Sequence, residues 1–519
     1  MLEHLRDMQS ILEWHKKRGS LLEIEKEVDW RYEMASINKN MEGGPAILFH
    51  KIKDYPGVKV ASNIFNTREA MAEMLGIEGG VEYTGRHWLE KEKGTEMTPP
   101  KIVDNAPCQE NVITGKDINM LKTMPVPFQG PLDAGRIITS GNGMVKIPET
   151  GGFNISFQRM NPRWPNASSI NVTPGKHLRD VLLKARKVEH QHVPITVNIG
   201  GPPTQIIMAG GGTQSTLQPY GYDELALAGA LQGGPMEIVP AKTIEGAWSI
   251  ANANFVLEGY VDFQQAADEC YDGELGKRLF MGEYHGYYGK SWRMFKFVCT
   301  GITHRNNPIY YFPLADHLEA VNLCAPYSEA AVYDVCKRID PTVFDTCYIP
   351  SCMRAMQGIA IRVNKNKQRD EGLQTNMMMA ALGAQVAFQW VMAVDQDIDI
   401  TSSDDILWAL IFRTDMKDDV TVVSGGRIEE ASPSTSHTGI MHKAAFDATI
   451  PLENQWSFKR TNFPPIDLEK FVKKEVIDKI RLQQSDYGRM LGTKWTTMEM
   501  GPGSSAEATG NKTLDLCSP

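Results

Sequence analysis

Several short stretches of this chain place ionisable and amide side chains where they could act together. Asn154 opens a strand-like run, N-I-S-F-Q-R, and Arg159 closes it. His177 follows P-G-K at the first turn of a helical stretch, with Lys176 beside it, and Glu224 starts a second helical stretch directly after Asp223. An amide oxygen, an imidazole and a carboxylate form a mixed, mostly hard donor set, suited to Mn2+ or Mg2+ bridging a phosphate. The same residues have an ordinary reading, because a histidine at a helix start can serve as a cap or core residue. Asp223 and Glu224 favour any helix N-terminus. A second cluster is R-L-F-M-G-E-Y-H-G-Y-Y-G at 278–289, where Glu283 and His285 lie among glycines and aromatics. Desolvation there would raise a carboxyl pKa and fit it to deliver a proton. The plain alternative is a β-turn with surface tyrosines. Phosphate-loop, nucleophile-elbow and H-E-x-x-H motifs are absent, and the glycines at 200–201 and 210–212 lack dinucleotide-binding spacing.

These residues need scaffolds, and the apolar patterning supplies them in three textures. The first hundred residues mix a helix (Leu2, Leu5, Met8, Ile11 and Leu12 at helical spacing) with strands over Leu21–Val28, Ala46–His50 and Val58–Ser62 and a helix over Thr67–Leu75. From about 110 to 310, short β-type runs alternate with Gly, Pro and Asn turns: Ile137–Thr139, Gly143–Ile147, Phe153–Phe157, Ile195–Ile199, Ile206–Ala209, Met236–Val239 and Phe295–Thr300. Strands this short and frequent predict a barrel or curled sheet, interrupted by helices over Leu178–Glu189 and Asp223–Leu231. Helices over Ser328–Arg338, Gln374–Met392 and Leu468–Ile480 and strands over Trp390–Ile398 and Val420–Val423 follow, then a polar tail expected to be mobile.

Composition narrows the partners. Lys and Arg total 54 against 63 Asp and Glu, a net charge of −9, which argues against nucleic acid or an anionic membrane as partner. No stretch of about 18 apolar residues suggests a membrane span, and the N-terminus reads as an amphipathic helix rather than a signal peptide. The 8 cysteines include no C-x-x-C pair, which predicts that most of them are reduced and buried in a cytoplasmic protein, and the 26 methionines read first as core filler.

Taken together, N-I-S-F-Q-R at 154–159, P-G-K-H at 174–177, D-E-L-A-L-A-G-A-L at 223–231 and G-E-Y-H-G-Y-Y at 282–288 resemble the UbiD family of decarboxylases, which use prenylated FMN. A-V-D-Q-D-I-D-I from 393, D-D-I-L-W-A-L from 404 and H-K-A-A-F-D-A-T at 442–449 extend the resemblance, which covers roughly residues 110–460 in preserved order apart from an insertion. It implies an α/β (α+β) chain: a central flavin-reductase-like split β-barrel flanked by N-terminal and C-terminal α/β domains joined by a long helix. The divisions fall at 1–107, 108–325 and 326–490, with a tail over 491–519. By resemblance, Asn154, His177 and Glu224 match ligands of a divalent metal (Mn2+, Mg2+ or Fe2+) that ties the flavin phosphate to the protein. The backbone of Asn154, Ile155, Ser156, Phe157, Gln158 and Arg159, with Lys176, matches positions lining the flavin, and Lys443 a lysine that binds its phosphate. A potassium ion is implied on carbonyls around Gly210–Gly212. Arg159 matches the catalytic arginine and Glu283 the proton-donating acid. The family further implies a homodimer or homohexamer assembled through the C-terminal region, and supply of the cofactor by a flavin prenyltransferase.

One position departs from the pattern. Where the family carries a first glutamate, this chain has Arg278, preceded by an insertion around Phe263–Leu275. A guanidinium in place of a carboxylate reverses the local charge, and two arginines near Glu283 would favour its ionised form. Counted as a catalytic residue, Arg278 asks for a substrate with extra negative charge or a carbonyl. An aromatic acyl-CoA with an ortho carboxylate, such as phthaloyl-CoA giving benzoyl-CoA and CO2, meets that demand. Other readings are an aromatic acid decarboxylase, a carboxylase of an unactivated arene, a non-catalytic subunit of a carboxylase complex, and an FMN oxidoreductase on a similar barrel.

Overall fold

The chain follows its predicted textures closely at first. The structure, a computed structural model, describes residues 2–94, 97–172, 176–187, 192–211, 217–263, 280–289, 291, 293–354, 357–428, 434, 439–461 and 473–476. Strands β1 (Leu21–Val28), β2 (Ala46–Ile52) and β3 (Lys59–Ser62) lie side by side, β1–β2 parallel and β2–β3 antiparallel. The amphipathic helix Met8–Lys17 is capped by Asp7, whose carboxylate accepts from Ser10 N at 2.8 Å and so satisfies one of the free N–H groups of the first turn.

After the short β4 (Lys101–Ile102) and β5 (Asn111–Thr114) comes the body that carries the site. Its strands are β6 (Ile138–Lys146), β7 (Phe153–Trp164), β8 (Ala167–Asn171), β9 (His192–Ile199), β10 (Glu237–Pro240), β11 (Trp248–Ile250), β12 (Phe255–Asp262) and β13 (Phe295–His304). The order β12–β9–β6–β7–β8–β13 closes because β13 pairs back onto β12, giving an antiparallel barrel of six strands. Closure removes the free strand edges that an open sheet would expose. β5 adds to β13, and β10 and β11 form a small sheet with β4. Val145, Met160, Ile170, Val197, Leu257 and Phe297 are buried together in one apolar cluster. Met144, Phe153 and Ile155 belong to another, shared with helices Pro203–Gly210 and Glu224–Gln232. With apolar side chains taken up on both faces, each strand contributes about 1.5–3 kcal/mol per fully buried large aliphatic group.

Two expected elements change. Ile206–Ala209, read as a strand, lies in the helix Pro203–Gly210, all of whose residues are buried. A short apolar run enclosed on every side carries no periodicity to separate helix from strand, and the Pro at its first turn fits a helix start. The helix expected over Gln374–Met392 is Leu373–Ala384. It stops where Gln385 turns extended and its own side-chain oxygen accepts from Ala387 N. Ile137–Thr139 and Gly143–Ile147 belong essentially to one strand, β6.

β14 (Ile309–Tyr311) leaves the barrel and pairs in parallel with β3, so the N-terminal sheet is completed by a distant segment. The helix Leu318–Ile339 then crosses to the C-terminal unit, continuing through Pro326 where sequence alone suggested a start only at Ser328. It is fixed at two buried carboxylates. Glu319 accepts from Asn63 N, Phe65 N and Tyr311 Oη, and Glu329 pairs with Arg68. The last sheet, β15 (Phe344–Tyr348), β16 (Gly358–Val363), β17 (Trp390–Asp395), β18 (Val420–Arg427) and β19 (Ile440–Ala448), runs β15–β16–β17–β19–β18. It is parallel in its middle and antiparallel at its edges. The split barrel flanked by two α/β units is thus the architecture.

Cys108, Cys299, Cys336 and Cys347 are buried free thiols, and burial pushes Cys108 and Cys299 up to about 12. No described helix is long and apolar enough to cross a membrane. Arg278, Cys270, Cys517, most of the insertion, most of Leu468–Ile480 and the tail over 491–519 lie outside the described residues.

Candidate functional site

β7 holds the first cluster. Asn154 pairs with Val145 across the barrel wall, and Asp223 brings the helix Glu224–Gln232 against it. The Asp223 carboxylate caps that helix, accepting from Leu225 N at 3.1 Å and Ala226 N at 3.2 Å, and also accepts from Phe153 N at 3.4 Å. The ordinary reading of Asp223 as a cap therefore holds, and the cap sets the position of its neighbour. Both Glu224 carboxylate oxygens accept from Asn154 Nδ2 at 3.0 Å, and one accepts from Ile155 N at 2.6 Å. His177, the first residue of the helix His177–Lys187, brings Nδ1 to 3.5 Å from Glu224 Oε1. Its ring meets Tyr220 edge-on at 6.1 Å.

Asn154 and Glu224 are each 3% exposed, and Asn154 Oδ1 is buried without a hydrogen-bond partner. Leaving a buried acceptor unmade costs about 1–3 kcal/mol. An orphaned amide oxygen beside a carboxylate and an imidazole nitrogen has the chemistry of a hard divalent-cation site, so these residues fit such an ion.

The second cluster faces Arg159, farther along β7. Arg159 is ion-paired with Glu283, and its guanidinium lies 5.2 Å from the centre of the Phe280 ring. Glu283 stands on a hairpin: Phe280 N donates to Gly289 O at 3.1 Å, Gly289 N to Met281 O at 2.9 Å, and Glu283 N to Tyr287 O at 2.9 Å. The turn reading of this segment is correct, with Tyr287 at the surface, yet Glu283 itself is turned inward and buried. A Cβ at position 289 would stand 2.5 Å from Glu283 Oε1, so only glycine leaves the carboxylate its place. Burial acts here on a charge pair rather than on a lone acid, because Arg159 supplies the counter-charge. His285 accepts from Tyr287 N at 3.2 Å and lies between the Tyr284 and Tyr287 rings.

The remaining predicted residues are placed as follows. Gln158 donates to Ser156 Oγ at 2.7 Å within the wall, Phe157 is half-buried, and Lys176 precedes the His177 helix. Lys443, on β19, is 6% exposed and donates to Val386 O at 2.8 Å. It has no carboxylate partner among the described residues, and burial alone lowers its ammonium to about 8. No described contact joins it to Asn154, His177 or Glu224. A buried cation without a counter-charge suits an incoming anion. Gly210 ends the helix Pro203–Gly210 and Gly211 caps it, while Gly212 lies outside the described residues.

Sequence reasoning passed over Asp133 and Phe280. Asp133 accepts from Gln129 N at 3.0 Å and Gly130 N at 2.7 Å, and so shapes the loop before β6, which meets the hairpin where Ala134 N donates to Phe280 O at 3.0 Å. Burial raises its pKa. A turn-capping aspartate is a local signal, whereas the meeting of its loop with the hairpin is not.

Three family profiles match the chain: the N-terminal domain of 3-octaprenyl-4-hydroxybenzoate carboxy-lyase (UbiD) over residues 12–84, its Rift-related domain over 101–315 and its C-terminal domain over 321–448. Gallate decarboxylase of Lactiplantibacillus plantarum is 25% identical over 452 residues, 84% of this chain and 91% of the relative. The apo structure of a 3,4-dihydroxybenzoic acid decarboxylase from Enterobacter cloacae superposes with a TM-score of 0.79 at 25% identity, covering 90% of this chain and 99% of the other. The UbiD-class enzyme HmfF of Pelotomaculum thermopropionicum, solved with FMN, gives a TM-score of 0.78 at 26% identity over 91% and 99% of the two chains. An evolved dimeric form of HmfF, solved with prFMN, gives 0.75 at 25% identity over 91% and 99%.

Proposed function

The chain belongs to the UbiD family of carboxy-lyases, and from that premise we propose that it decarboxylates an aromatic carboxylic acid with the help of prenylated FMN. The observation that carries this reading is the Arg159–Glu283 pair, whose arginine shares β7 with Asn154 of the Asn154–His177–Glu224 cluster. Asn154, His177 and Glu224 would hold Mn2+, Mg2+ or Fe2+ against the flavin phosphate. Lys443 would add a second positive charge to that phosphate, and Lys176 and the backbone of 154–159 would line the ring system. When bound, the flavin supplies an electron sink for the loss of CO2.

The protein's own work is positioning and proton transfer. Arg159 presents paired N–H donors that match a carboxylate, which orients the substrate. Phe280 packs against the Arg159 guanidinium, whose side chain stays 25% exposed and so open to an incoming carboxylate. Once the substrate carboxylate takes its place at Arg159, Glu283 would take up a proton from solvent and hand it to the ring carbon after CO2 leaves, so that the aromatic carboxylate and one proton yield the arene and CO2.

The substrate class is drawn from Arg278. A guanidinium where the family has a carboxylate supports a substrate carrying extra negative charge or a carbonyl, as in an aromatic acyl-CoA with an ortho carboxylate. The same change keeps open the reverse direction, carboxylation of an arene. A homodimer or homohexamer in the cytoplasm, a potassium ion near Gly210 and Gly211, and dependence on a flavin prenyltransferase complete the reading. The buried free thiols fit a reducing compartment.

The test is co-expression with a flavin prenyltransferase, followed by mass and absorbance of the bound cofactor and CO2 release from aromatic acids and their CoA thioesters. Prenylated FMN with CO2 release is the expected result. Plain FMN or an empty site in an enzyme that releases no CO2 overturns it. Full activity of Arg278→Glu on the preferred substrate would remove the argument from charge reversal.

A further inference from the structure

The hairpin that carries Glu283 is held from two units at once. Toward the barrel side, Ala134 N donates to Phe280 O at 3.0 Å and the Glu283 carboxylate pairs with Arg159. Toward the C-terminal unit there is a side-chain tie. Gln357 Nε2 donates to Tyr284 Oη at 2.7 Å, and the Tyr284 ring packs on Val321 and Ala387. Gln357 accepts from Gln389 Nε2, and its carbonyl accepts from Gln389 N at 2.7 Å and Trp390 N at 3.2 Å. Three residues before Gln389, the carbonyl of Val386 holds Lys443 Nζ. Tyr284 is the corner residue of the turn that Gly286 N closes onto Glu283 O at 2.9 Å. A rotation of Tyr284 about that corner must therefore re-aim the carboxylate next to it.

We infer that Tyr284 and Gln357 are positioning residues for Glu283: their hydrogen bond sets the aim of the carboxylate at Arg159 and makes it depend on the seat of the C-terminal sheet. The inference rests on the reading of Glu283 as the proton-transferring group. A group displaced by about 1 Å can lose up to 100-fold in rate, so a single bond at this corner can matter while touching no substrate.

The experiment uses the flavin-loaded enzyme and the variants Tyr284→Phe, Gln357→Ala, Gln357→Glu, the Tyr284→Phe/Gln357→Ala pair, and Glu283→Gln as reference. Tyr284→Phe and Gln357→Ala are expected to lower kcat about tenfold, with KM and flavin content within twofold of the parent. Because both remove one shared bond, the double variant should fall no further than either single. Gln357→Glu, whose carboxylate can accept from the phenol and from Gln389, should recover most of the loss. Wild-type kcat in Tyr284→Phe and Gln357→Ala overturns the inference, as do multiplicative losses in the double variant or losses that track flavin content. If Glu283→Gln itself keeps full turnover, the acid assignment has failed, and that result is distinct from a failure of the latch.

Discussion

The two polar clusters of β7 are built in different ways. Asn154, His177 and Glu224 stand on one strand and two helix starts, and the Asp223 cap locks the Glu224 helix to the strand beside Asn154. Every one of these elements belongs to the barrel unit. Arg159 shares the same strand, but its partner Glu283 stands next to the corner of a turn, on a hairpin docked on the loop before β6 by Ala134 and on the C-terminal unit by Gln357. Regular elements hold ligand atoms more closely than loops do, which suits the task proposed for this cluster, to fix an ion and a phosphate. A turn held by a few hydrogen bonds can adjust, which suits a group that must meet a substrate and move a proton. The proposed anchor is thus local to one unit, whereas the proposed chemistry is assembled from parts that meet only in the complete fold.

The sharpest way to break this division is to disable the chemistry and watch the anchor. Arg159→Ala removes the cation that pairs with Glu283 and that we propose orients the substrate carboxylate. Turnover should fall by about 1,000-fold, as for loss of a key charge-stabilising donor. Flavin content should remain within twofold, because the cluster around Asn154 is untouched. Flavin loss that parallels the loss of turnover would show that the two clusters are one unit.

The converse is Glu224→Gln, which puts an amide where two buried N–H donors, from Asn154 and Ile155, now find a carboxylate. One donor would face another, at a cost of about 1–3 kcal/mol. Bound metal and flavin should fall about tenfold or more, measured by elemental analysis and flavin absorbance, and the melting temperature should drop with them. Unchanged metal and flavin content in this variant would remove the cluster's assigned task.

The same contrast explains what could be read in the sequence. Asn154, His177 and Glu224 were legible because each marks the start of an element, and Asp223 announces its helix by residue type alone. The barrel was legible as short β-type runs between turn residues, although Ile206–Ala209 became a helix, since full enclosure erases periodicity. The parallel pairing of Ile309–Tyr311 with the N-terminal sheet had no sequence signal, because register between distant segments is set by packing. The Gln357–Tyr284 bond was hidden for the same reason. It joins two neutral side chains 73 positions apart, with no local pattern and no charge complementarity to suggest it.

Lys443 lies between these extremes, legible as a motif but unusual in its setting, and it gives the most delicate test of the division. Burial lowers its ammonium to about 8 from the ordinary 10.5, with no carboxylate among the described residues to oppose the shift. Between those two values the unfolded chain binds a proton that the folded chain does not. Its destabilising effect is therefore complete below pH 8 and is relieved as pH rises from about 8 toward 10.5. Lys443→Met removes the charge, so without flavin the variant should melt higher than the parent at pH 7, and the gap should close by pH 10. A bound phosphate reverses the preference, because it favours the protonated lysine. Flavin affinity of the parent should weaken above pH 8, by at most about tenfold per pH unit, and this component should vanish in Lys443→Met. Parallel pH profiles of flavin affinity in the two proteins would mean that Lys443 does not meet the phosphate, leaving the rigid cluster around Asn154 to hold it alone.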